Sequence, residues 1–244
     1  FVIEHPEWID DELEKTLDLR AGHDTGRIYR IFPKGKKLRP IPRFDVLSSD
    51  ELVDALESPN GWCRDMAHQM LLWRGGRSAI ANLERTVTDS ELALARLHAI
   101  CVLDGLGALR PETVVQALGD SSSGVRRHAV RLSESFLNEI PIVGEPFLRR
   151  MEDDDPQVLI QLAFSLGEWS DPRAGRALGR LAVRHADDTY IVAAVMSSAN
   201  RHLEPMVEEV VRDSSALAKR VPLLQKLVSL SVGLDDHESL ARLL

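Results

Sequence analysis

One spacing recurs through most of this chain and narrows its fold more than any other feature. Arg64 with Ala67, Arg96 with Ala99 and Arg126 with Ala129 share an Arg-x-x-Ala pattern, and Leu159 with Leu162 and Ile191 with Ala194 hold the corresponding places. The steps between them are 32, 30, 33 and 32 residues. Six residues before the first four stand Ser58, Ser90, Asp120 and Asp153. A period of this size accommodates one helix pair, and a single pair cannot bury its own apolar face, so neighbouring pairs must stack. The small Ala suits a close helix–helix contact. The expectation is an all-α fold over residues 44–244, an α-solenoid of about five to six helix pairs.

The local signals agree. Ser48-Ser49-Asp50-Glu51 is a capping sequence ahead of Leu52, Val53 and Leu56. Helical stretches then alternate with breaks at Pro59-Asn60-Gly61, Gly75-Gly76, Ser121 to Gly124, Pro141 to Gly144, Asp154-Asp155-Pro156 and Asp171-Pro172. After Leu203 the pattern is less regular, as a terminal repeat would be. Residues 1–43 read differently. Phe1-Val2-Ile3 and Arg27-Ile28-Tyr29-Arg30-Ile31-Phe32 are rich in β-branched and aromatic residues and predict strands, with loop at Pro6 to Asp10 between them. Pro33 to Pro42 predicts an extended, Pro- and Lys-rich linker.

Charge follows the same division. Residues 1–26 hold eight acids and two bases, residues 27–43 seven bases and no acid, and residues 44–244 thirty acids against twenty-one bases. An acidic helical region argues against a nucleic-acid partner, whose affinity comes from phosphate neutralisation. No run approaches the roughly 18 apolar residues of a membrane span. Cys63 and Cys101 form no CxxC, CxxCH or disulfide framework and read as buried thiols. The start Phe1-Val2-Ile3-Glu4, without Met, reads as a fragment or processed piece.

Asp120-Ser121-Ser122-Ser123-Gly124-Val125-Arg126-Arg127-His128-Ala129 resembles the HEAT-type unit, where a turn precedes Val-Arg-x-x-Ala on the second helix. That resemblance implies a hydrogen-bonding ladder of Asp and Arg between successive turns. Asp120 and Arg126 fit it, Ser58 with Arg64 and Ser90 with Arg96 fit in part, and Leu159 opposite Asp153 breaks it in the fourth unit. Val2-Ile3-Glu4-His5-Pro6-Glu7-Trp8-Ile9 and Gly26 to Pro33 look like the end of a β-propeller. With Pro59-Asn60-Gly61-Trp62, Arg64-Asp65, Leu71-Leu72-Trp73-Arg74 and Leu97-His98-Ala99, they resemble the planctomycete-type membrane-bound dehydrogenases. Those proteins join a sorbosone-dehydrogenase-like propeller, a HEAT region and a c-type cytochrome segment. The resemblance implies an exported parent oxidoreductase carrying c-type haem and a quinone-type cofactor, with this chain as its armadillo-like HEAT scaffold.

Within the chain no GxSxG, P-loop, GxGxxG or HExxH appears, so no catalytic, cofactor-binding or metal-ligating residue is assigned. His98 and His128 share a register, with His68 one place on, and a metal there would need Asp104 or Glu134 as a further ligand. Hydrogen-bonded histidines are the simpler reading. Asp153-Asp154-Asp155 and Asp187-Asp188 sit where helix N-termini are expected and read as caps. Two places beyond each aligned Ala or Leu stand Gln69, Cys101, Arg131, Phe164 and Met196, the candidate lining of a concave partner-binding groove. The expected function is a non-catalytic scaffold that contacts other domains of the parent or a protein partner. The alternatives are an autonomous HEAT adaptor binding a peptide, and an enzyme on a helical-repeat scaffold of the bilin-lyase or DNA-glycosylase kind.

Overall fold

The computed structural model describes residues 5–26, 31–38, 42–213 and 217–243, with the backbone alone described at 217–220. Packing divides the chain into two units, Phe1–Pro42 and Arg43–Leu244. That division falls one residue from the boundary read from sequence.

In the first unit, Pro6–Trp8 form a single 3-10 turn and α1 (Asp11–Glu14) follows. The Asp10 carboxylate accepts from the backbone N–H groups of Glu12 and Leu13, so a short helix starts directly after the stretch read as loop. Of the two expected strands, residues 1–3 and 27–30 lie outside the described residues, and Ile31 and Phe32 belong to no strand. Residues 39–41 of the linker also lie outside them.

The second unit is all helix and connection among its described residues. Its helices are α2 (Ser49–Ala55), α3 (Gly61–Trp73), α4 (Ile80–Asp89), α5 (Ala93–Gly105), α6 (Pro111–Leu118), α7 (Ser123–Leu137) and α8 (Pro141–Leu148). They continue as α9 (Pro156–Glu168), α10 (Pro172–Arg184), α11 (Thr189–Ser198), α12 (Leu203–Arg212), α13 (Leu217–Gly233) and α14 (His237–Leu243). The ends are chemically marked. Ser48 and Glu51 exchange hydrogen bonds in a capping box, and Asn60, Asp155, Asp171 and Asp188 cap α3, α9, α10 and α11. Gly107, at φ +62, closes α5 in a left-handed turn that a side chain would strain. The break expected at Pro141 to Gly144 falls earlier, at Asn138 to Ile140. Pro141 instead opens α8, because a first helical residue has no need of an N–H.

Consecutive helices pack as pairs, and most helices also meet the next but one. In the odd-numbered row α3, α5, α7, α9 and α11 touch in order; in the even-numbered row α2, α4, α6 and α8 do so, as do α10, α12 and α14. The aligned residues of the sequence repeat lie in the core. Ala67, Ala99, Ala129, Leu162 and Ala194 are all buried in one continuous core, with Leu71, Leu103 and Leu166 a turn further on. No helix among the described residues is long and apolar enough to cross a membrane.

Candidate functional site

Two features recur from pair to pair and meet on the odd-numbered helices. The first is an arginine network at the turns. Arg64, Arg96 and Arg126 each donate through Nη1 to the carbonyl six residues earlier, those of Ser58, Ser90 and Asp120, at 2.6, 2.8 and 2.9 Å. At the same turn positions the side-chain oxygens of Ser58, Ser90, Asp120 and Asp153 accept from the N–H two residues on, at 3.2, 3.1, 2.7 and 3.1 Å. One local structure is thus built repeatedly by one spacing.

The carboxylates then reach backward to the preceding pair. Arg96 donates through Nε and Nη2 to both oxygens of Asp120, each at 2.7 Å, and Arg126 does the same to Asp153, each at 2.7 Å. Such fork-to-fork pairs fix geometry as well as charge. Position 90 carries Ser rather than a carboxylate, and Arg64 Nε is correspondingly buried without a partner. Asp153, expected to face Leu159 unused, is instead held by Arg126 and by Arg150 at 3.2 Å, with its side chain 1% exposed. Burial pushes the Asp120 and Asp153 carboxyls up, but the arginines and the turn N–H groups outweigh it and hold both below the usual range.

The second feature is the face of the odd-numbered helices. His68 and His98 share an Nδ1–Nδ1 hydrogen bond of 3.1 Å between α3 and α5, and His98 Nε2 lies 3.8 Å from Asp65. His128 Nδ1 is 3.8 Å from the Cys101 sulfur. The register histidines therefore join neighbouring helices, and among the described residues no group of three or more His, Cys, Asp or Glu side chains could hold a metal ion. Burial lowers all three imidazoles and raises the Cys101 thiol. Cys63, buried on α3, and Cys101, half-buried on α5, stand on separate helices and do not fit the paired thiols that attach a c-type haem.

Of the five residues placed in a groove by register, Gln69, Arg131 and Phe164 are exposed and Cys101 and Met196 half-buried. Two grooves receive two of them. Arg131 lines one of about 350 Å³ between α7 and α9, with Arg127, His128, Gln157, Ile160 and Gln161. Met196 lines another of about 630 Å³ between α11 and α13, with Ala193, Pro222, Lys226 and Leu230 among its neighbours. Gln69, Cys101 and Phe164 lie in neither.

Residues 1–35 match the family model described as Domain of unknown function (DUF7133). No curated protein matches the chain. The match ends before the helical unit begins, so the groove residues fall outside it.

Register alone missed Arg127, Gln157 and Gln161. The signal was present: Arg127 and Arg131 stand four apart on α7, Gln157 and Gln161 stand four apart on α9, and thirty residues separate Arg127 from the Gln157 it touches.

Proposed function

We propose that the helical unit is a HEAT-like α-solenoid acting as a non-catalytic docking scaffold within a multidomain oxidoreductase of the membrane-bound dehydrogenase type. The observation that carries the solenoid reading is the threefold recurrence of the Arg-to-carbonyl bond at a six-residue offset, from Arg64, Arg96 and Arg126. Repeats that share a hydrogen-bonded turn stack by one operation and leave a continuous helix face for a partner. Mechanistically the unit offers shape, and the two rigid Arg–carboxylate rungs keep successive pairs in register. The parent reading draws on the sequence resemblance, which supplies haem and quinone chemistry to other segments of such a protein and none to this one.

The test is association within the complete reading frame. The purified chain is titrated calorimetrically with the separately expressed propeller and haem-bearing portions. Saturable binding to either supports the scaffold. A reading frame that encodes neither portion overturns the parent assignment. A second reading, an autonomous peptide-binding adaptor, rests on the α7–α9 and α11–α13 grooves and predicts binding without those portions.

A further inference from the structure

The α7–α9 groove differs from the other Arg-bearing grooves of the unit in how its charge is balanced. On the even-numbered side, grooves that contain Arg180 and Arg184 also contain Glu152, and the ion pairs Arg180–Glu209 at 2.8 Å and Arg184–Glu152 at 2.6 Å satisfy those cations. The α7–α9 groove is lined by Arg127, His128, Arg131, Gln157, Ile160 and Gln161, with no carboxylate. Among the described residues neither Arg127 nor Arg131 makes an ion pair; Arg127 donates instead to the Gln157 amide oxygen. The surrounding region carries thirty acids against twenty-one bases, so a groove lined by two guanidiniums and no carboxylate runs against the local charge. Desolvation, then the charges of Arg127 and Arg131, lower the His128 pKa.

Resting on the docking reading above, we propose that this groove holds the carboxylates of an acidic, extended peptide segment. Arg127 and Arg131 lie on one helix face one turn apart, and each guanidinium can take a carboxylate with two parallel N–H bonds. The Gln157 and Gln161 amides on α9 stand opposite at the same spacing, able to bond the peptide backbone. Beyond them the face turns apolar and then cationic again, through Phe164 at 46% exposure, Met196 and Lys226. The complementary segment therefore carries acids at both ends and apolar residues between. A nucleic acid, charged throughout, matches neither the apolar stretch nor the acidic surroundings.

The experiment uses the whole chain and two fluorescein-labelled peptides of about twelve residues. One has paired Glu at both ends with Leu and Ser between; the other has Gln for every Glu. Fluorescence polarisation at low salt is expected to show the Glu peptide binding about tenfold or more tighter, with the advantage shrinking in high salt. R127Q/R131Q should remove that advantage, R127K/R131K should retain part of it, and R180Q/R184Q should leave it intact. Circular dichroism melts establish that each variant is folded. Equal affinity for the two peptides, or an advantage untouched by R127Q/R131Q, overturns the proposal. If both peptides bind equally and binding falls with F164S/M196S, inner-face docking stands and the acidic preference is wrong. If neither peptide binds and the parental portions also fail to associate, both readings fall.

Discussion

Asp153 joins three elements through one buried carboxylate. It receives both guanidinium arms of Arg126, a third bond from Arg150 and the backbone N–H of Asp155. Replacing it by Asn keeps the shape and strips the charge, leaving Arg126 and Arg150, 15% and 22% exposed, without a counter-ion. Breaking one partner of such a pair costs about 3–5 kcal/mol, and D153N should lower the urea midpoint accordingly. The converse change is available at Ser90. Asp120 and Asp153 show that a carboxylate at this turn position caps the local N–H and also binds the arginine of the preceding pair. S90D should do the same for the orphaned Nε of Arg64 and add about 1–2 kcal/mol. An unchanged melting temperature in S90D would show that position 90 lies out of Arg64's reach.

The approach of α10 to α12 is close, and two glycines permit it. A Cβ at Gly175 would lie 2.4 Å from Pro205 Cγ and 3.0 Å from the His202 carbonyl; one at Gly179 would lie 2.8 Å from Glu209 Cβ. The glycines stand four apart, on the face that receives α12. An Ala gains about 1 kcal/mol of helix propensity, but overpacking against backbone costs about 1–3 kcal/mol. G175A is therefore expected to be net destabilising, while G233A, with open space around it, should be neutral or mildly stabilising. Parallel thermal melts of the two variants separate packing from propensity. Within α8, Gly144 lets Trp169 lie 3.1 Å from where its Cβ would be, and that indole also meets Phe147 edge-on and Arg173 on its face.

The helical unit as a whole should lose stability with acid in two separate windows. His68, His98, His128, His185 and His202 are all held below the ordinary imidazole value, chiefly by burial. A depressed histidine stays neutral in the fold while the unfolded chain takes up a proton. Stability is thus full above the unfolded value of 6.5 and declines as pH falls below it toward the folded values. Asp120 and Asp153 act lower. Their folded values lie beneath the unfolded 3.8, so their contribution is present above that and is lost as pH falls through the folded values. Urea midpoints measured across pH should therefore begin to fall as pH drops below about 6.5, with a further loss setting in below about 3.8. A profile without any loss below pH 6.5 until the carboxylates titrate would show that the imidazoles are as well solvated in the fold as out of it. The unit also has one continuous core running from Phe44 to Leu227, so residues 43–244 expressed alone should show a single cooperative unfolding transition by circular dichroism.

Much of the helical architecture was legible from residues alone. Ser48, Asn60, Asp155, Asp171 and Asp188 start helices because capping depends on groups two or three residues away. Ala67, Ala99 and Ala129 recur because a small side chain suits a buried position where helices meet, although Leu162 fills the same place on α9. Pro141 was misjudged as a break because a proline before a helix and one at its first turn look alike in sequence. The DUF7133 match belongs to the sequence as well, and it concerns residues 1–35 only. The tertiary structure decided which partners meet across repeats. Arg96 reaches Asp120, 24 residues on, and Arg126 reaches Asp153, 27 residues on, although each arginine has an acid or serine only six residues behind it. The His68–His98 bond and the carboxylate-free groove between α7 and α9 have the same origin. Local spacing sets what a helix exposes, whereas the packing of neighbouring helices, fixed by connection length and core volume, sets what that surface faces.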